Sequence, residues 1–123
     1  MRLAKNFNKS EFDSKDGSEM PEDVLQNIQK LANNLQVLRD MLKAPIIIKS
    51  GYRSPSHNKA VGGAPRSQHL LGKASDIVVR GYTPKQVAIV IEELINKGDM
   101  LQGGVKAYNT FVHYDIRKTK ARW

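Results

Sequence analysis

The side chains in this sequence best suited to chemistry near neutral pH are three histidines and a handful of carboxylates. His69 and Asp76 lie in one short stretch, "PRSQHLLGKASDI", Pro65 to Ile77, among the small or polar residues Ser67, Gly72, Ala74 and Ser75. A further pair, His113 and Asp115, follows much later in "FVHYDIR". Two histidines and one aspartate that converge can ligate zinc, which takes imidazole nitrogen or carboxylate oxygen at roughly 2.0–2.2 Å and keeps one position for water when it is catalytic. Each residue also has a plainer reading. His69 can be a loop residue, Asp76 a turn aspartate bonded to backbone, His113 a hydrogen-bonded core histidine, and His57 an exposed residue after "SPS". Spacing alone leaves both readings open, because a His-x6-Asp pair is not specific and no HExxH is present.

Other chemistries fare worse. Cysteine is absent, which excludes a disulfide framework and any thiolate metal site. "GKAS" lacks the earlier glycine of a phosphate loop, since position 67 is serine, and its lysine is followed by Ala74. "VGGAP" reads as a glycine turn before it reads as an anion nest. "RKTKARW", 117–123, reads equally as a phosphate-binding segment or as a solvated basic tail.

The net charge of +8 is unevenly spread. Residues 11–23 carry six acids and one lysine, whereas residues 24–123 carry sixteen bases and six acids. Such a basic body is drawn to polyanions, nucleic acid and the anionic bacterial cell wall among them. A nucleic-acid binder rests on charge alone and predicts a steep salt dependence, so no specific nucleic-acid partner is expected.

The elements that must position these residues follow from periodicity. Between Pro21 and Lys43 the apolar residues fall at 24, 28, 31, 35, 38 and 42, one face of a helix, with Pro21 in its first turn. "PIIIKS", 45–50, and "ASDIVVR", 74–80, read as strands, with a glycine- and proline-rich loop, 51–67, after the first. "TPKQVAIVIEELINKG", 83–98, reads as a second helix capped by Thr83 and closed by Gly98, burying Val87, Val90, Ile91, Leu94 and Ile95. "GGVKAYNTFVHYDIR", 103–117, reads as a hairpin whose second strand puts Phe111, His113 and Asp115 on one face and Val112, Tyr114 and Ile116 on the core face. Residues 1–20 read as irregular, anchored by Phe7 and Phe12. The sum is an α+β domain spanning 1–123, with two principal helices and a small, mainly antiparallel sheet.

"SQHLLGKASD", Ser67–Asp76, resembles the Ser-x-His-x-x-Gly-x-Ala-x-Asp pattern of the M15 zinc peptidases, the D-alanyl-D-alanine carboxypeptidases and related phage and bacterial cell-wall endopeptidases. "SGYRSPSHNKAVGGAPRSQH", 50–69, "FVHYDIRKTKARW", 111–123, and "NFNKSEFDSKDG", 6–17, are similar to the small single-domain, endolysin-like branch, in the same order. The resemblance implies zinc bound by His69, Asp76 and His113, and hydrolysis of peptide bonds in peptidoglycan stems or cross-links. It implies the α+β fold shared with the Hedgehog signalling domain, with the metal on one side of the sheet. Arg53 matches the family arginine placed to stabilise a developing oxyanion, and Ser67, Gln68 and Tyr108 are candidate substrate-binding groups.

One departure matters. Many members carry Glu or Asp three residues before the third ligand, as general base, and here that position is Thr110. Asp115 is the nearest carboxylate on the His113 face. It is either the base or a group that orients a ligand or Arg53. Tyr108 and His57 are weaker candidates for proton transfer, and the base stays unassigned. The missing acid also leaves a non-catalytic, zinc-containing wall-binding module as the alternative. A monomer is expected. Without an apolar N-terminal run or an apolar stretch near the roughly 18 residues of a membrane span, synthesis in the cytoplasm and no membrane insertion are expected, with action at the wall after phage-type release.

Overall fold

The computed structural model describes residues 1–123. Its centre is a four-stranded antiparallel sheet built from β3 (Ile46–Ser50), β4 (Ala74–Val79), β5 (Val105–Ala107) and β6 (Val112–Asp115), in the order β3-β4-β6-β5. The short strands β1 (Arg2–Ala4) and β2 (Phe7–Asn8) form a separate antiparallel pair. Helix α1 spans Glu22–Leu42, α2 spans Pro55–Ala60 and α3 spans Pro84–Asn96. None of these helices is long and apolar enough to cross a membrane.

Alternation along the strands sorts the side chains to two faces. Ile46, Ile48, Ile77, Val79, Val105, Val112 and Tyr114 are buried in the hydrophobic core. Against them pack Val24, Ile28, Leu31, Leu35, Leu38 and Leu42 of α1, all buried at the spacing seen in the sequence. Val87, Ile91, Leu94 and Ile95 complete the core from α3, while Val90 is only partly buried at its edge. Leu35 is fully buried, and truncating such a residue to alanine costs about 2–5 kcal/mol. The opposite face of β4 and β6 carries the buried polar residues Asp76, His113 and Asp115, apart from the hydrophobic core.

Caps set the helix limits. Glu22 and Asp23 sit at the positive end of the α1 dipole, and Lys43 ends the helix in the left-handed region at φ 51° just before Ala44 and Pro45. Thr83 accepts from the Gln86 amide while the Gln86 side chain accepts from the Thr83 amide, so α3 starts on a capping box.

Two segments are more ordered than their composition predicts. The opening residues form the β1–β2 pair and a 3-10 turn at Lys9–Phe12, with Phe7 and Phe12 buried and their rings 6.1 Å apart. The loop after β3 contains α2, started by Ser54, whose hydroxyl accepts from the His57 amide. Elements of two to six residues are too short for periodicity to mark them. Tertiary contacts hold both. The Asp16 carboxylate accepts from the Ser14, Ser54 and Ser56 hydroxyls and the Ser18 amide, and this ties the opening segment to the start of α2.

Candidate metal centre and its cleft

His69 lies in a 3-10 turn, Gln68–Leu71, that Ser67 begins by accepting from the His69 amide at 3.1 Å. Asn27 of α1 donates to the Leu71 carbonyl at 2.8 Å and fastens this turn to the core helix. Gly72 closes the turn at φ +73°, and a Cβ there would meet the Val24 side chain at 2.7 Å. A left-handed residue with no side chain is therefore required, and it lets the chain turn back into β4 two residues later. Asp76 then sits inside β4, directly opposite His113 on β6. Cross-strand partners share a face and lie close together, so register delivers the second and third residues to the same spot.

The three side chains converge. One ligand atom from each of His69, Asp76 and His113 lies within 4.8 Å of the others, and all three residues are buried. His69 Nδ1 lies 2.7 Å from the Gly51 carbonyl, which can only accept, so this nitrogen bears the proton. Its Nε2 is left bare, 3.3 Å from Asp76 Oδ2. His113 Nε2 lies 2.7 Å from Asp115 Oδ2 and its Nδ1 3.2 Å from Asp76 Oδ1, so the shorter contact puts the proton of the neutral ring on Nε2 and leaves Nδ1 free to ligate. Two neutral imidazoles so arranged aim two lone pairs at a carboxylate, a repulsive set unless a cation or added protons lie among them. Imidazole nitrogen and carboxylate oxygen are the donors zinc accepts, so this donor set fits a metal ion.

The electrostatics follow from the same contacts. Burial would raise the Asp76 pKa, but with protons rather than a cation on the facing imidazole nitrogens, hydrogen bonds and charge from His113 and His69 outweigh it and hold the carboxylate well below its usual range. Burial would lower the His113 pKa, and the Asp115 and Asp76 carboxylates reverse that and raise it. Asp115 is fully buried, yet it too is held well below the usual range, because His113, Arg117 and the Gly104 and Arg117 amides all donate to it.

These residues form the floor of an open cleft of about 750 Å³. Arg53, Ser67, Gln68 and Tyr108 line it. Arg53 reaches Asp76 Oδ2 with Nη2 at 3.3 Å, while Ser50 Oγ and Asn58 Oδ1 accept from its other nitrogens. Asp115 does not reach the cleft. It stands behind His113 and pairs with Arg117 through Nε–Oδ1 at 2.9 Å and Nη2–Oδ2 at 2.7 Å, rather than with Arg53. His57 lies in α2 and Thr110 beside the β5–β6 turn, both outside the cleft lining. Asp76 is the one acidic residue that lines it.

Phe111, expected on the His113 face, lines the cleft, and so do Arg66, Arg117 and Trp123, which sequence reasoning did not single out for the site. Phe111, His113, Asp115 and Arg117 share one parity, so continuing the alternation two residues past Asp115 would have found Arg117. No local signal marks Trp123. It reaches the cleft through long-range contacts, its indole Nε1 donating to the Tyr108 hydroxyl at 3.1 Å.

The family model described as Peptidase M15 matches residues 4–115. No curated protein sequence matches the chain. Among solved structures, an L-Ala D-Glu endopeptidase of Serratia marcescens, ChiX, is similar with a TM-score of 0.51 and 18% identity, over 79% of this chain and 88% of that one. At that identity the likeness is one of fold.

Proposed function

The chain belongs to the M15 peptidase family, and from that premise we propose that it hydrolyses peptide bonds in the stems or cross-links of peptidoglycan, with a zinc ion held by His69, Asp76 and His113. The observation that carries the proposal is the convergence of two imidazole nitrogens and a carboxylate in an open cleft. The similar fold of an enzyme described as an L-Ala D-Glu endopeptidase supports the substrate class, and the +8 charge suits an anionic wall.

Zinc bound there supplies a Lewis acid and lowers the pKa of a bound water towards ~7. The chain's own residues do the rest. The Gly51 carbonyl fixes the His69 tautomer and Asp115 fixes that of His113, so each ring presents its bare nitrogen to the metal position. Arg53, held by Ser50, Asn58 and Asp76 at the cleft edge, places a permanent positive charge where a carbonyl oxygen of bound substrate gains negative charge. Ser67, Gln68 and Tyr108 offer hydrogen bonds to the peptide backbone along the cleft. Asp115, fully buried with both oxygens engaged, acts as a positioning residue for His113 and not as the base.

A second reading has its own observation. The cleft contains no carboxylate besides Asp76, so no acid is placed to take a proton from water. A zinc-containing wall-binding module without hydrolysis fits that fact. Incubating the protein with purified sacculi, with and without a chelator, decides between the two. Metal-dependent release of new amino groups supports the peptidase, whereas stoichiometric zinc and wall binding without any release supports the module.

A further inference from the structure

Composition alone makes the segment after β6 a basic tail, but the structure builds it into the wall of the site. Arg122 uses all five of its guanidinium N–H donors. Nε and Nη2 grip both oxygens of Glu92 on α3, at 2.7 and 2.6 Å. Nη2 also reaches Gln102 Oε1, and Nη1 reaches the carbonyls of Gly103 and Ala121. Backbone bonds between Val105 and Ala121 and between Ala121 and Gly103 continue the attachment. This clamp leads directly into Trp123.

Trp123 is held on several sides and still open on the cleft. Its ring meets that of His113 edge-on at 5.2 Å, its indole N–H is used by Tyr108, and Lys106 Nζ donates to its backbone oxygen. Even so, 52% of the residue is exposed, and it lines the cleft. Tyr108 and Phe111, stacked at 4.6 Å, continue the aromatic surface. The Arg117 guanidinium lies over the indole at 5.7 Å with its charge matched by Asp115, and Lys106 Nζ lies 5.5 Å from the Tyr108 ring, so this side of the cleft is an aromatic surface flanked by cations. Arg66 also lines the cleft. A half-exposed indole held by Tyr108, Lys106 and His113 at the edge of a site is a surface for a ligand to cover.

We propose that Trp123 is a specificity-determining residue whose indole takes an uncharged, apolar flank of the substrate beside the scissile bond, and that the Arg122–Glu92 clamp sets its position. The proposal rests on the peptidase reading above, which names the substrate as a stem peptide.

The chain has one tryptophan, so native emission reports on this wall alone. Titrating a soluble tetrapeptide stem into the zinc-loaded protein will change that emission saturably. Trp123→Ala will raise KM about tenfold and move kcat no more than about threefold, and Trp123→Phe will recover most of the loss. Zinc affinity, measured against a chelating dye, will stay unchanged. Glu92→Gln, remote from the cleft, will make Trp123 more accessible to acrylamide quenching. An unchanged KM in Trp123→Ala, or a loss of zinc with KM preserved, overturns the proposal, the latter because it makes Trp123 only a support for His113. If Trp123→Ala does not fold, the native titration and Trp123→Phe carry the test, and emission indifferent to bound peptide sinks the idea. Saturable emission without hydrolysis leaves the wall standing while the peptidase reading fails. Hydrolysis with neither emission nor KM responding does the reverse.

Discussion

His113 and Asp115 lie two residues apart on β6, share a face and meet at 2.7 Å between Nε2 and Oδ2. Asp115 in turn takes Arg117 and the Gly104 amide, so one buried carboxylate fixes the orientation of a candidate ligand. Asp115→Asn will therefore weaken zinc affinity on the order of 10–100-fold. Competition with a chelating dye measures this. If Asp115 were the general base, affinity would survive and only turnover would fall.

Metal binding will add to stability because the donor set exists only in the folded chain. Zinc at about a thousand times its dissociation constant will stabilise the native state by about 4 kcal/mol. Urea unfolding with zinc and with chelator measures the difference. His69→Ala will abolish it, since one imidazole nitrogen is lost while the β4–β6 pairing remains.

Arg53→Lys will lower kcat about a hundredfold with little change in zinc content. Lysine keeps the charge but not the planar fork that reaches Ser50, Asn58 and Asp76 together. Steady-state kinetics alongside metal analysis test this, and equal losses of metal and rate would place Arg53 in ligand support instead.

Gly104 has no room for a side chain, because a Cβ would come within 2.2 Å of Asp115 Oδ2. Gly104→Ala will destabilise the fold by about 2 kcal/mol and loosen zinc together with it, through displacement of Asp115. Chemical denaturation and a zinc titration on the same sample read both effects.

The Asp16 carboxylate is held well below its ordinary value of 3.8, chiefly by the Ser54 hydroxyl and then by the Ser18 amide and Ser14. A lowered folded-state pKa gives stability that is present in full above the unfolded value and is lost as pH falls through the folded one. Asp16→Asn will thus be clearly less stable than the parent at about pH 7 and closer to it near pH 2. Urea midpoints at several pH values check the convergence, and a gap that widens in acid would contradict it.

Part of this was legible residue by residue. The 4-3-4-3-4 spacing in α1 names six residues that are all buried, because a helix repeats its buried face at that interval whatever it packs against. Alternation in β6 likewise separates Val112 and Tyr114 from His113 and Asp115. The β1–β2 pair and α2 escaped, being too short to repeat anything, and they owe their form to contacts such as those of Asp16 with Ser54.

The sequence by itself determined which side chains were available for chemistry and which strand face each would take, since residue type and backbone period are local properties. Only the tertiary structure decided that Asp76 stands opposite His113, which nitrogen of each imidazole is free, that Asp115 answers to Arg117, and that Trp123 lines the cleft. Those depend on strand register and on contacts between residues far apart in the chain, such as Asp76 with His113, 37 positions on. No local pattern encodes such pairings, because they arise only when packing of the whole chain brings the partners together.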